Sequence, residues 1–278
     1  MSEFWHRYRQ NKGAVVGLAL LLLVVVLAIA APVAFPASPW EMSGAPFQRP
    51  LGDFLLGTDM LGRDILSGIV HGARVSLMVG VVSTIVAVSL GIAFGALAGY
   101  FGGAIDDALM RFTEFFQTIP SFVFAIVLVA IFRPSIVSIV AAIAIVSWPP
   151  VARLVRGEFL TLRRREFVQA AVVIGESHLR IILGQILPNA MSPVIVMASL
   201  MIASAILLES ALSFLGLGDP NMMSWGYMIG ASRSVMRQAW WMSTFPGVAI
   251  FLTVLALNLV GEGLSDAMNP RLARRGRA

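Results

Sequence analysis

Long, uninterrupted runs of apolar residues limit what this chain can fold into more than any other feature. The hydrocarbon core of a bilayer is about 30 Å thick, so a helix needs roughly 20 apolar residues to cross it. Because the runs are continuous rather than alternating, they predict helices and not the strands of a barrel. The sequence therefore predicts an all-α integral membrane protein with six transmembrane helices, at residues 14–34, 75–99, 112–132, 135–152, 189–212 and 243–263.

Composition supports this class, since 58% of the residues are hydrophobic and only 13% are charged. A water-soluble globule is closer to half apolar and a quarter charged. The fourth run is the shortest and ends in Trp148-Pro149-Pro150, and Pro120 lies inside the third. Proline lacks an N–H group and clashes with the preceding turn, so these residues predict kinks or ends of helices.

Glycine spacing in the second run predicts how its helix packs. Gly91, Gly95 and Gly99 recur at every fourth residue and therefore share one face of the helix. Glycine on a lipid-facing surface would weaken the helix by about 1 kcal/mol relative to alanine and gain nothing. The pattern predicts a seam where a second helix approaches closely.

Basic residues are distributed unevenly around the predicted spans. If the N-terminus is cytoplasmic, 14 of the 20 Lys and Arg residues lie on the cytoplasmic side and 6 on the outer side. Segments rich in Lys and Arg remain in the cytoplasm, so both termini are predicted there. The sequence pI of about 10.6 is then a topology signal, and nucleic acid is not an expected partner.

The chain divides into three regions on this reading. Residues 1–74 contain a cytoplasmic tail, the first transmembrane helix and an outer loop, residues 75–267 form a five-helix core, and residues 268–278 form a basic cytoplasmic tail. An alternative is that the first run is a secretory signal cleaved after Ala30. The run is long enough to span the bilayer, which favours a retained helix.

Several kinds of chemistry are not expected. The chain has no cysteine, and its three histidines are scattered without a metal-ligand pattern. A phosphate-binding P-loop needs Gly-Lys-Ser/Thr, whereas the only lysine, Lys12, precedes Gly13. We therefore expect no cofactor, metal or catalytic residue in this chain, and any energy from nucleotide must come from another polypeptide.

Glu209 is the ionisable residue of most interest within the apolar runs. A charge at membrane depth costs about 2.5 to 3.5 kcal/mol on insertion scales, so such residues usually have a purpose. Glu209 lies near the outer end of the fifth run. It is predicted either to be a structural carboxylate that reaches the interface or pairs with Arg233 or Arg237, or to line a translocation path.

A polar segment between the fourth and fifth runs, residues 153–188, is the most unusual part of the sequence. It is expected to form short helices at the inner surface, with Ala170 and Ala171 presenting a nearly bare backbone to a docking partner. Gly175 would allow a turn between the helices, and Pro188 would fit the first turn of the fifth span. The segment contains six arginines, Arg153, Arg156, Arg163, Arg164, Arg165 and Arg180.

This segment resembles the cytoplasmic coupling motif of ABC-importer permeases, which is Glu-Ala-Ala, three residues, Gly, nine residues, Ile, one residue and Leu-Pro. The chain departs from the motif at two places, with Gln169 in place of glutamate and Gln185 in place of isoleucine. The resemblance implies that the segment receives an ATPase subunit. The residues concerned are Glu166, Gln169, Ala170, Ala171, Gly175, Leu187 and Pro188.

A second signature, before the second run, is similar to the C-type permease subunit of dipeptide, oligopeptide and nickel importers. Likeness to that subfamily continues around Glu209 and over almost the whole chain. It implies a bacterial cell (inner) membrane protein whose partners are a homologous second permease, two cytoplasmic ATPase subunits that bind ATP and Mg²⁺, and an extracytoplasmic solute-binding protein. The signature residues are Gly57, Thr58, Asp59, Gly62, Arg63 and Asp64.

The resemblance implies transport by alternating access with no chemistry in this chain. The loop 213–242, with Trp225, Tyr227, Trp240 and Trp241, either receives the solute-binding protein or places aromatic rings at the membrane interface. The competing class is a channel or ion-driven transporter that needs no ATPase. Peptides are the first expectation for the solute, and nickel or another small complex is the second.

Overall fold

The computed structural model describes residues 2–268, and helices make up most of them. Two isolated β-bridges, Met42 to Arg63 and Thr58 to Asp64, are the only extended pairing within that range. The helices are α1 (Ser2–Gln10), α2 (Lys12–Ala34), α3 (Ile65–Phe101), α4 (Gly103–Gln117), α5 (Ser121–Phe132), α6 (Ile136–Leu162), α7 (Glu166–Val173), α8 (His178–Leu217), α9 (Trp225–Ser232) and α10 (Trp241–Met268).

Five of these helices, α2, α3, α6, α8 and α10, are long and apolar enough to cross a membrane. The pair α4 and α5 provides a sixth crossing if it is counted as one span, although the two helices meet at an angle of 81°. The break lies just before Pro120, whose ring disfavours a helical conformation in the residue that precedes it. Five of the six predicted spans are thus present as continuous helices, and the predicted third span corresponds to the bent pair.

The fourth and fifth spans are longer than the sequence predicted. Helix α6 runs through Pro149 and Pro150 to Leu162, so Arg153 and Arg156 belong to a helix and not to a loop. Neighbouring helices in a membrane bundle can satisfy backbone groups that prolines leave free, so two prolines need not end a helix. Helix α8 begins at His178, and Pro188 lies well inside it, after a π-helical segment at Ile181–Ile186. The fifth span thus begins earlier than predicted, although Pro188 does lie in the first turn of its α-helical part, Leu187–Leu212, as predicted.

The two ends of the helix bundle carry different segments of the chain. We call one the basic end, because it carries residues 163–177, and the other the loop end, because it carries residues 35–64 and 218–240. At the basic end, the Asn11 side-chain amide donates to the Asp266 carboxylate at 2.9 Å and joins the start of α2 to the last turns of α10. At the loop end, the Trp241 indole N–H donates to the Thr58 carbonyl oxygen at 3.2 Å.

Helix α3 connects the two ends. It has 37 residues, which at 1.5 Å per residue gives about 55 Å, far more than the hydrocarbon core. The Asp64 carboxylate caps it by accepting hydrogen bonds from the N–H groups of Leu66 and Ser67 at 3.0 and 3.4 Å. Helix α3 is therefore longer than the apolar layer, and its capped first turn lies at the loop end.

The predicted glycine seam is confirmed and lies between α3 and α6. A β-carbon on Gly95 would collide with the Ala152 carbonyl oxygen, and one on Gly99 would lie 2.6 Å from the Phe159 β-carbon. Gly91 meets Val151 in the same way. The backbones of α3 and α6 consequently lie closer together than any larger residue at these positions would permit.

An ion pair beside the seam joins α4 to α6. The Arg156 guanidinium binds the Asp106 carboxylate through two hydrogen bonds, from Nε at 2.5 Å and from Nη2 at 2.6 Å. Asp106 is buried. Such bidentate pairs are among the stronger polar contacts in proteins. Arg156, one of the six arginines of the polar segment 153–188, is therefore bound within the chain.

Enlarging a seam glycine should destabilise the bundle. We expect Gly95→Leu to lower the free energy of unfolding by about 1 to 3 kcal/mol or more, because the added atoms have no space between α3 and α6. Thermal unfolding of the purified protein in detergent measures the change. The control is Gly157→Ala on α6, where a β-carbon meets nothing within 4 Å. Equal unfolding temperatures for the two variants would contradict the seam.

Candidate functional site

The segment between α6 and α8 forms a rigid projection at the basic end, and we call residues 163–177 the elbow. Its short helix α7 buries Val168 and Ala171 in the same apolar cluster as Phe159 of α6 and Ile181 of α8. The elbow is therefore packed against both long helices that flank it. A force applied to it reaches α6 and α8 directly.

The C-terminus of α7 is closed by a turn that requires glycine. The N–H of Gly175 donates to the Val172 carbonyl at 3.1 Å, and the N–H of Glu176 donates to the Ala171 carbonyl at 3.0 Å. This pair of bonds is the Schellman arrangement, in which the glycine takes a left-handed conformation. Gly175 does so, with φ of +79°. The turn that the sequence predicted at Gly175 is present.

The outer face of this turn is apolar and exposed. Val173 and Ile174 are 85% and 76% accessible, and the neighbouring Val172 is exposed as well. Exposed apolar side chains are common singly, but adjacent ones on a rigid turn usually mark an interaction surface. The tip of the elbow thus presents an apolar knob, made by Val172, Val173 and Ile174.

The predicted coupling residues divide between the elbow and α8. Gln169 donates from its side-chain amide to the Arg163 carbonyl at 2.8 Å, which closes the turn before α7. Glu166 and Ala170 are exposed, whereas Ala171 is buried against the chain's own core. Ala171 therefore does not present a bare backbone to a partner, as its sequence context suggested. Leu187 and Pro188 lie on α8, where Leu187 packs against the same core and Pro188 is exposed.

Two residues that the sequence did not single out connect the elbow with the end of α3. The Tyr100 hydroxyl and Nδ1 of His178 are hydrogen-bonded at 2.8 Å, which joins α3 to the start of α8. The Arg163 guanidinium lies 5.9 Å from the Tyr100 ring centroid and donates to the Phe101 carbonyl at 3.5 Å. No local pattern could have indicated these contacts, because the partners are far apart in the sequence.

The loop signature at the opposite end is a structural frame. The Thr58 side chain is fully buried, with its hydroxyl donating to the Ala45 carbonyl at 2.7 Å and accepting from the Gln48 N–H at 2.9 Å. The Asp59 carboxylate accepts from the N–H groups of Leu61 and Arg63 at 2.8 and 2.9 Å. These bonds fold the loop 35–64 against the start of α3.

The remaining signature residues complete the same frame. Gly57 and Gly62 have φ of +80° and +76°, and a β-carbon on either would collide with backbone carbonyl groups of the loop. The Arg63 guanidinium lies 4.8 Å from the centroid of the Trp40 ring, a cation–π contact, and Asp64 caps α3. These contacts give the signature residues a role in holding the loop 35–64 against the start of α3.

Glu209 is buried at the loop end of α8, with an exposed fraction of 1%. Its carboxylate accepts hydrogen bonds from the hydroxyl groups of Ser213 and Ser224, both at 2.8 Å, and a longer one from Ser210 at 3.4 Å. Within the described residues it forms no ion pair, and the Arg233 guanidinium donates to the Phe214 carbonyl instead. The expected pairing with Arg233 or Arg237 is therefore wrong, and the carboxylate does not reach the interface.

The short helix α9 covers Glu209 and explains its burial. A β-carbon on Gly226 would lie 2.7 Å from a Glu209 carboxylate oxygen, so only glycine allows this approach. The Trp225 N–H donates to the Ser76 hydroxyl at 3.1 Å, and its indole N–H donates to the Ile69 carbonyl at 2.9 Å. Helix α9 is thereby fixed to both α3 and α8.

Burial also changes the interpretation of the aromatic loop 213–242. Trp225 and Trp241 are buried, so neither is available to a solute-binding protein or to the membrane interface. Trp240 is exposed and Tyr227 is half-buried. Among residues 2–268, no three His, Asp or Glu side chains come together as a possible metal-ligand group.

A bundle of membrane-spanning helices with a rigid apolar projection at one end and a folded loop cap at the other defines a membrane transport permease. Comparison with known proteins gives the family. The chain belongs to the binding-protein-dependent transport system inner membrane component family, whose profile matches residues 91–274. Residues 1–50 match the N-terminal TM domain of oligopeptide transport permease C. The protein is therefore a multi-pass membrane permease subunit of a bacterial transport system.

Curated relatives match the chain almost from end to end. A di/tripeptide transport system permease protein DppC from Pseudomonas aeruginosa is 41% identical over 98% of this chain and 92% of its own length. The dipeptide transport system permease protein DppC of Escherichia coli is 42% identical over 98% and 93%. An oligopeptide transport system permease protein OppC from Haemophilus influenzae is 40% identical over 95% and 86%.

Solved structures support the fold. The methionine ABC transporter MetNI aligns with a TM-score of 0.60 and 14% identity, covering 76% of this chain and 97% of the other. An amino acid ABC transporter aligns with a TM-score of 0.55 and 15% identity, covering 72% and 94%. At such low identity the likeness shows the common helical architecture and nothing more.

Removing the Glu209 carboxylate should loosen the loop end. We expect Glu209→Ala to lower the free energy of unfolding by about 2 kcal/mol or more, because the hydroxyl groups of Ser213 and Ser224 lose their acceptor in a buried site. Thermal unfolding and limited proteolysis of the segment 218–224 measure the effect.

Ser234→Ala is the matched control, since Ser234 lies exposed in the loop that follows α9. Unchanged stability of Glu209→Ala relative to this control would contradict the anchoring role. Glu209→Gln keeps an acceptor oxygen, and a variant that assembles normally but transports poorly would indicate a role in the translocation path.

Proposed function

We propose that this chain is one permease subunit of an ATP-driven importer of short peptides, and that it works by alternating access. The single observation that carries the proposal is the elbow, a glycine-closed apolar knob packed against α6 and α8. A partner that grips the knob and moves it must move these two helices as well. The chain itself is not an enzyme. It would contribute helices that line the path of the solute and that move when the elbow moves.

The source of energy is a pair of ATPase subunits docked at the basic end. The knob provides apolar contact at the C-terminal end of α7, and the exposed side chains of Arg164 and Arg165 lie at the N-terminal end of the same short helix. A hydrophobic centre with a polar rim is the usual anatomy of a protein interface. ATP and Mg²⁺ would be bound by the ATPases, and this chain needs no cofactor.

A second, homologous permease and an extracytoplasmic solute-binding protein complete the proposed assembly. Lipid and the second permease would cover the apolar side chains that α3 and α5 expose, such as Ile85 and Ile131. The solute-binding protein would dock at the loop end. This arrangement makes the basic end cytoplasmic together with both termini, in agreement with the distribution of Lys and Arg; the tail 268–278 lies outside the described residues apart from Met268.

Peptides are proposed as the solute because the relatives are named as dipeptide, di/tripeptide and oligopeptide permeases. Nickel and other small complexes are less well supported, since none of these relatives is named for them. The relatives also favour an importer subunit over a channel or an ion-driven transporter. A channel or an ion-driven transporter would need no ATPase at the elbow, and the exposed apolar knob would then have no partner to bind.

Reconstitution tests the proposal as a whole. The permease should copurify with an ATPase pair, and vesicles containing the full assembly and the solute-binding protein should take up a labelled dipeptide only with ATP. Vesicles containing this polypeptide alone should take up none. Uptake by the polypeptide alone, driven by an ion gradient, would overturn the proposal.

A negative charge at the elbow turn should uncouple ATP hydrolysis by the partner subunits from peptide uptake. We expect Gly175→Asp to reduce ATP-driven uptake at least about tenfold, because burying a carboxylate beside the knob in an interface costs more than about 1.4 kcal/mol. A β-carbon at Gly175 meets nothing within 4 Å, so the chain itself has space for the side chain.

Gly175→Asn is the matched control, because asparagine has the same shape as aspartate, tolerates the left-handed conformation and carries no charge. It should retain more uptake than the aspartate variant. Membrane levels of both variants are measured in parallel. Normal uptake by Gly175→Asp would count against docking at the elbow.

A further inference from the structure

A cleft of about 310 Å³ opens at the loop end between the loop 35–64, the first turns of α3 and the segment before α9. Trp40, Val75 and Met78 contribute to one part of its lining, and Met222 and Asn221 contribute to another. Its volume lies at the lower end of the range for small-molecule pockets. None of the residues assigned above to coupling lines it. We call it the Arg74 cleft.

The cleft carries one uncompensated positive charge. Arg74 lines it, is exposed, and forms no hydrogen bond or ion pair with any residue in the part of the chain that the structure describes. No Asp or Glu is among the described residues that line the cleft. Arg63, at the same end, differs because it contacts Asp59 and stacks on Trp40. The fixed charge of Arg74 is therefore available to an anion.

The walls of the cleft are apolar and adaptable. Methionine side chains have three rotatable bonds and a polarisable sulfur, so they repack around partners of different shape. The cleft has Met78 and Met222 in its lining, together with the Trp40 ring. His71 also lines it and is held by a hydrogen bond from its Nε2 to the Phe35 carbonyl at 3.0 Å. One charged anchor with variable apolar surroundings suits a small solute that has a constant anionic group and changing side chains.

We propose that the Arg74 cleft binds the C-terminal carboxylate of a short peptide at the loop-end mouth of the permease. The proposal rests on the proposed function, and it names a contact that this chain makes with the solute. The guanidinium group matches a carboxylate in shape and can bind it through two parallel hydrogen bonds. Arg74 is exposed, and the loop 35–64 contributes to the lining, so the cleft opens on the surface of the loop end.

Cysteine labelling tests the cleft without relying on transport. The chain has no cysteine, so Asn221→Cys places a single thiol of this chain at the edge of the cleft. In the reconstituted importer, the rate of modification by an anionic methanethiosulfonate reagent is followed by mass spectrometry of the peptide that contains position 221. The probes are the dipeptide Ala-Ala and its C-terminal amide.

We expect Ala-Ala to slow modification at least about fivefold, and the amide to have little effect, because only the free acid supplies a charged partner for Arg74. In an Arg74→Ala background, Ala-Ala should no longer protect. Without peptide, this substitution should also slow the anionic reagent about threefold or more relative to a cationic one, since a nearby positive charge is lost. Arg49→Ala, another exposed arginine at the loop end, is the control and should change neither result.

Equal protection by the acid and the amide, or protection that persists in Arg74→Ala, would overturn the inference. Absence of protection in an importer that takes up Ala-Ala with ATP would also overturn it, while the importer itself would stand. If ATP-driven uptake were absent but Arg74-dependent protection were present, the proposed function would fail and the site would stand. Loss of copurification in Arg74→Ala without any peptide protection would assign Arg74 to an acidic residue of a partner subunit, against the inference.

Discussion

The close approach of α3 and α6 is the contact on which the rest of the structure depends. Three glycines remove the side chains that would separate the two helices, and each is met by backbone or β-carbon atoms of α6. Helix α6 leads into the elbow, and α3 begins at the folded loop of the opposite end. The seam thus fixes the position of the elbow relative to the loop end. Sequence identity with the peptide permeases extends across both elements.

Polar groups in the bundle are satisfied by partners on other helices, which makes the helices move in groups. Asp106 of α4 holds Arg156 of α6, and Glu209 of α8 holds Ser224 at the start of α9. Separating Arg156 from Asp106 would leave a buried carboxylate without its two donors, and separating Ser224 from Glu209 would remove one of the hydrogen bonds to a buried carboxyl group, so both changes are unfavourable. The alternating access proposed above would therefore move intact groups of helices past one another.

The sequence predicted those features that depend on a single segment. Apolar runs gave the six crossings, and the spacing of Gly91, Gly95 and Gly99 gave the seam. The turn at Gly175 followed from the place of this glycine between two predicted short helices. Hydropathy alone could not show that α6 continues through Pro149 and Pro150, because neighbouring helices supply the missing stabilisation. Partners such as Asp106 for Arg156 were also out of reach, since they lie on different helices far apart in the sequence.

The length of α3 determines how far the two ends of this helix move when it tilts by a small angle. A straight helix of 37 residues measures about 55 Å, so a tilt of about 10° around its midpoint would displace each end by about 5 Å in opposite directions. That distance is close to one helical turn, and it would move the mouth at Arg74 and the region beside Tyr100 and His178 at the same instant. A tilt of one long helix would therefore displace its two ends in opposite directions, and the movements at the loop end and at the basic end would occur together.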